Sequence, residues 1–345
     1  MTDDNSTGLT GFTASDDGTT QRAAFTDSGQ MSTAVVELYL RCVVIGIAVF
    51  GTVSNAVVLY ALIVHRAQES KKRDIYLLII SQNLLDLCCC IITVISLCIA
   101  VSNIYLTGTL GYMLCAIFIN HNLLQCLLNA SVVNLMALTV ERYLKVVYPF
   151  WSKKNLKSWM IYAAIVFSWI AGILSVVPLG MITTVVAQGR CISWARYWGN
   201  PGLNMRVGIW SSISFFILPL IIFVFCYGHI MVVMRKQMRV MAAHNDEGSA
   251  HNASQAQSHR VKWNIIKTMI IVAAFFSCCW LPWNVTLLLF VDIGNMVGYA
   301  IMFLPYVNIA LNPFIYATKY EGVRRILARM IICRKRDGVG SVNDT

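Results

Sequence analysis

The sequence predicts an all-α membrane protein: a seven-transmembrane helix bundle with a short amphipathic cytoplasmic helix after span seven. Three observations predict it. The 345 residues are 57% apolar and 12% charged, with a mean hydropathy of +0.65, whereas about a quarter of a soluble domain is charged. Nearly uncharged apolar runs repeatedly reach the roughly 20 residues that cross a bilayer as a helix. Lys and Arg collect in alternate connections between those runs, as they do on the cytoplasmic side of multi-pass proteins.

The runs lie at 38–64, 75–100, 112–140, 158–180, 207–234, 264–290 and 297–318. Lipid cannot satisfy open backbone groups, and barrel strands would be shorter and alternating, so the runs are helices. Residues 1–37 are polar and rich in Ser, Thr and Gly, which reads as a disordered extracellular tail. No basic region with a short apolar core opens the chain, so span one is its own insertion signal. With the amino terminus outside, the inner segments 65–74, 142–158, 235–267 and 319–345 hold 4, 5, 6 and 7 Lys/Arg, 22 of the 27 in the chain. The net charge of +11 is then a skirt facing anionic lipid and acidic partners, and no soluble basic domain exists for nucleic acid. The domains are the tail 1–37, the transmembrane domain 38–318, and an amphipathic helix with a short cytoplasmic tail over 319–345. The polar stretch 242–259 is the one long linker between spans.

Twelve cysteines are present, but most sit in apolar spans (Cys88, Cys89, Cys90, Cys126, Cys226, Cys278, Cys279), where they behave as small hydrophobes. None has zinc-ligand spacing. Asp86 is the only acid deep within a span, where an unpaired charge costs several kcal/mol, about 3 on insertion scales. Pro282 and Pro313 each remove a backbone donor and kink their helices. Lys319 to Met330 alternates basic and apolar residues at helical spacing, as in a helix lying on a leaflet. Cys333 beyond it is a palmitoylation candidate. Asn5-Ser6-Thr7 is a glycosylation sequon in the tail, whereas the sequons at Asn129 and Asn284 fall inside spans.

Each span also carries a marker, in order. These are Gly51 and Asn55 in span one, Leu85-Asp86 in span two, and Glu141-Arg142-Tyr143 at the end of span three. Span four has Trp169 and Pro178, span five Pro219 and Tyr227, and span six Phe276 before Cys279-Trp280-Leu281-Pro282. Span seven closes on Asn312-Pro313-Phe314-Ile315-Tyr316. Together the set resembles the rhodopsin-like (class A) G-protein-coupled receptor family over residues 38–333.

The resemblance implies a receptor in the plasma membrane, not an enzyme, that binds an extracellular ligand and activates heterotrimeric G proteins. It places Ser131, Asn308 and Asn312 around Asp86, an all-oxygen set suited to sodium as an allosteric ion. The bland alternative is a hydrogen-bonded structural Asp. No cofactor is implied besides that ion. Glu141, Arg142 and Tyr143 are implied in G-protein coupling, with Arg142 resting on its neighbouring acid until activation. Trp280, Phe276, Val132 and Pro219 resemble a packing switch, and Tyr227 and Tyr316 a pair that supports Arg142. Cys115 and Cys191 resemble the pair that ties span three to the second outer loop, in an oxidising compartment.

Two departures stand out. Lys262 and its neighbours supply no acid at the base of span six, so an ionic lock to Arg142 is absent. Cys115 lies two residues further from Arg142 than is usual, which calls for a bulge or unwound turn between them, or for a shift in depth of the pocket residues. The implied pocket lining is His121, Leu124, Gln125, Ser211, Ser212, Trp283, Asn284, Met302 and Tyr306. Amine receptors carry an Asp where Leu124 stands, and opsins a Lys where Tyr306 stands. A monoamine or covalent retinal is therefore disfavoured against a peptide or neutral small molecule. A transporter, the rival from another class, would show repeats and several midplane ionisable groups. A constitutively active or unliganded receptor is the rival within the class.

Overall fold

The computed structural model describes residues 17–68, 76–102, 104–192, 201–243, 250–289, 295–319 and 323–330. Helix α1 runs Asp17–Gln68, with its apolar part Leu38–Gln68 forming span one. Helix α2, Leu77–Val101, is span two. Span three is composite: α3, Gly108–Leu114, a wide π turn over Cys115–Ile119, and α4, Asn122–Val147. A short helix α5, Pro149–Asn155, leads to span four, α6, Ser158–Thr183. Strands β1, Val185–Ala187, and β2, Arg190–Ile192, form an antiparallel hairpin with Val186 opposite Cys191. Span five comprises α7, Pro201–Ser212, a second π turn over Ile213–Ile217, and α8, Leu218–Ala243. Spans six and seven are α9, Ala250–Leu289, and α10, Asn295–Lys319, followed by α11 at 323–330.

All seven expected spans are helical. Six have the length and apolar content to cross a bilayer, and the seventh has its shorter apolar stretch at Phe303–Ile315. The helices overrun the apolar runs: α1 starts in the stretch read as tail and α9 starts inside the stretch read as linker. Extending a formed helix gains a hydrogen bond for each residue fixed, so polar residues follow where a nucleus already stands. The sequon at Asn5, the lipidation candidate Cys333, and the side chains of Lys262, Met302 and Tyr316 lie outside the described residues.

Contact density groups Val44–Thr345 into one unit, apart from the unit ending at Val43. Within the larger unit span three is central, packing against spans two, four and five. Its approach to span four is allowed by Gly172, since a Cβ there would meet Cys126 O at 2.4 Å and Ala130 Cβ at 2.8 Å. The main core, with Leu138, Ile230, Met234, Met269 and Phe276, lies toward the Arg142 end. It also takes Val323 and Ile326 from α11, whose Arg324 and Arg329 remain exposed. That division is the amphipathic pattern expected of the segment.

Candidate functional site

The composite build of span three resolves the two-residue surplus. Cys115–Ile119 forms a π turn in which the Asn120 amide donates to Cys115 O at 2.9 Å. His121 then adopts left-handed φ and ψ of 55° and 20°, which few non-glycine residues do. Asn side chains hold the broken backbone: Asn122 Nδ2 donates to Ala116 O at 2.8 Å, and Asn120 Nδ2 to Thr184 Oγ1 at 2.9 Å. Cys115 and Cys191 form the expected disulfide, with Cα atoms 5.4 Å apart. The hairpin turn needs positive φ at Gln188 (52°) and Gly189 (72°), and Gly189 also lies under Tyr105, where a Cβ would be 2.0 Å from the ring. Gly189 O accepts from the Leu106 amide at 2.9 Å, which adds a second tie near the disulfide.

Midway along the bundle, Asp86 is 1% exposed and satisfied from three spans. Asn312 Nδ2 donates to its Oδ2 at 2.9 Å, and Ser131 Oγ to its Oδ1 at 3.2 Å. Gln82 Nε2 donates to Ser131 Oγ at 2.5 Å and reaches Asp86 Oδ1 at 3.4 Å, while its Oε1 accepts from Asn134 Nδ2 at 2.9 Å. Gln82 and Asn134 are members that sequence reasoning missed. Gln82 stands four residues before Asp86 on the same helix face, but its bonds to Ser131 and Asn134 depend on how spans two and three face each other. Asn308 is buried, and among the described residues its Oδ1 and that of Asn312 have no hydrogen-bond partner. Asn312 contacts the Asp86 carboxylate, and a buried carbonyl oxygen in that condition beside a carboxylate fits a hard cation, so this pair is compatible with sodium.

The aromatic switch candidates do pack together. Phe276 lies 5.9 Å from both Trp280 and Phe223 and 6.5 Å from Phe216, centroid to centroid. Phe216 sits in the π turn of span five that ends just before Pro219. Val132 is buried in the same core. Of the pocket candidates, Leu124 and Tyr306 pack with Trp280 in one cluster. Gln125 turns toward span four instead, donating to Asn129 Oδ1 at 3.0 Å, and Asn129 donates on to Ser175 Oγ at 2.9 Å. Asn284 folds back on Trp280 O at 2.9 Å. Ser212 is 1% exposed, and Ser211 and Trp283 are half-buried.

At the far end of span three, Arg142 Nε is 3.2 Å from Glu141 Oε2, and Lys145 Nζ contacts Glu141 Oε1. Tyr143 OH lies 3.1 Å from His229 Nδ1, and the buried Tyr227 OH 3.0 Å from Thr139 Oγ1, both linking span three to span five. Lys145, Thr139 and His229 were also missed, because no motif marks them.

A seven-helix bundle with an acid at its centre, an aromatic stack beside it and a Glu-Arg-Tyr triplet at one end defines a receptor fold. Residues 54–316 match the 7 transmembrane receptor (rhodopsin family), and the chain belongs to that family. It is a multi-pass membrane protein of that family. Among similar proteins, somatostatin receptor type 4 of Rattus norvegicus is 24% identical over 59% of this chain and 51% of its own length. Lysophosphatidic acid receptor 1-B of Xenopus laevis is 25% identical over 64% of this chain and 58% of its own. 5-Hydroxytryptamine receptor 4 of Homo sapiens is 30% identical over 38% of this chain and 37% of its own. The chain thus spans little more than half the length of these relatives, or less.

Proposed function

We propose that the chain sits in the plasma membrane with its amino terminus outside, binds an extracellular peptide or uncharged small molecule, and activates heterotrimeric G proteins. The observation that carries this is the pairing of Arg142 with Glu141 at the lysine-rich end of a bundle whose other end is closed by the Cys115–Cys191 hairpin. The names of the similar receptors point to three chemically different ligands, so family membership leaves the ligand open. Leu124 narrows it: at 2% exposure this apolar side chain stands where an ammonium would need a carboxylate, and an unpaired charge there would be costly. Sodium at Asp86, Ser131, Asn308 and Asn312 would favour the resting arrangement. The test is a screen of the expressed receptor against peptides and metabolites, read by G-protein dissociation. Activation only by monoamines would overturn the ligand class, and no coupling to any G protein would overturn the reading itself.

A further inference from the structure

We propose that Lys145 is a positioning residue of the switch, keeping Glu141 neutralised when Arg142 lets go of it. The inference rests on the coupling role just given to Arg142. Glu141 is 5% exposed, and each of its two oxygens meets a different cation, Oε2 the Arg142 Nε and Oε1 the Lys145 Nζ. The two contacts differ in kind. Lys145 lies four residues after Glu141, where helix geometry stacks the two side chains and where the order acid then base is the favourable one. Arg142 is the next residue along, which helix geometry does not place on the same face. Its contact is therefore the one that a change of the Arg142 side-chain rotamer breaks, while the Lys145 contact along the same helix stays in place.

Removing one partner of a buried ion pair is strongly destabilising when nothing replaces it. With Arg142 as its sole cation, Glu141 would oppose every departure of that side chain. Lys145 removes this opposition, since it stays within the same turn wherever Arg142 goes. At 29% exposure its side chain keeps one face toward solvent, and it can hold the carboxylate without itself being buried. The consequence is a resting state that is easier to leave, and a higher ligand-free signal than the Glu141–Arg142 pair alone would permit.

Two measurements on the full-length chain test this, and they fail separately. The first is thermal unfolding of the purified receptor in detergent as a double-mutant cycle, with Arg142→Met standing for the deserted carboxylate. Lys145→Met should lower Tm by about 5 °C more in that background than in the wild type. The excess should vanish when Glu141→Gln is added. Additive shifts would overturn the proposal. Should the double variant not be recovered, Arg142→Met with Lys145→Arg must be, or the proposal falls. The second is basal nucleotide exchange on G protein at matched receptor amounts: Lys145→Met should reduce it about threefold and Lys145→Arg should restore it. Loss that arginine does not restore tells against Lys145 acting through its charge. Silence of the wild type on every G protein tells against the coupling reading, and the unfolding cycle then still decides Lys145.

Discussion

At its Cys115 end, span three is fastened to other parts of the chain: covalently to β2, through Asn120 to Thr184, and through Tyr112 OH to Met181 O at 2.6 Å. At its Arg142 end, both ion pairs of Glu141 run along the helix itself, and the links to span five are two phenol contacts, Tyr143 with His229 and Tyr227 with Thr139. The Asp86 network lies between, joining spans two, three and seven by hydrogen bonds. One helix is thus fastened to other elements at one end, while at the other the Glu141 carboxylate finds its two cations within the helix. On the proposed function, ligand binding near the anchored end would move the other, because few cross-helix bonds among the described residues must break there.

The largest effect is expected from undoing the anchor. Cys115→Ala or Cys191→Ala should cost about 4 kcal/mol by loop-closure entropy over the 76-residue separation, and abolish ligand binding or surface expression. The double change should be no worse than either single one. A functional single variant with normal surface level would mean that the hairpin end is not the fixed one.

Next comes the middle. If sodium holds Asp86 in the resting arrangement, it should lower agonist affinity roughly tenfold, and Asp86→Asn should abolish that effect without loss from the surface. An unchanged sodium dependence in the mutant would rule the ion out and leave Asp86 a structural hub.

At the free end, Lys262→Glu should install an attraction to Arg142 across spans three and six. Basal G-protein activation at matched expression should fall about twofold to fivefold, a shift that about 1 kcal/mol or less produces in a two-state equilibrium. Equal basal signals in both proteins would show that the end is governed by contacts other than charge.

The smallest change sharpens the comparison instead of breaking it. Asn120→Ala removes one neutral hydrogen bond to Thr184, worth about 1 kcal/mol, and should lower Tm by a few degrees, leaving basal signalling unchanged. A rise in basal signalling would mean that loosening the anchor alone frees the switch.

Much of this molecule could be read from composition, because a bilayer demands length and apolarity that cannot be disguised. All seven spans fall in that category, whereas the pairing of Cys115 with Cys191 came from the family resemblance. Asp86 was legible for the same reason, as a lone acid in hydrocarbon must have partners. The partners were legible only in part. Ser131 and Asn312 came from the family resemblance, while Gln82 and Asn134 contribute through side-chain directions that depend on how two helices face each other. Lys145 looked like one more basic residue near a membrane edge, and only its Nζ position beside Glu141 sets it apart. The helix overruns at Asp17 and Ala250 were not legible, since propensity in polar sequence is weak against an adjoining nucleus.

The joint at Cys115–His121 bears on how such a chain tolerates change. Two additional residues in a regular helix would turn everything beyond them by about 200° and displace it by about 3 Å, sending buried faces to lipid. Here a wide turn and a single left-handed residue absorb the surplus locally, and the Ala116 carbonyl accepts from the Asn122 side-chain amide close by. Cys115 still reaches its disulfide partner, and Ser131 still reaches Asp86. Insertion and deletion in lineages of this chain should therefore collect in those seven positions, where length can vary without disturbing anything read at either end.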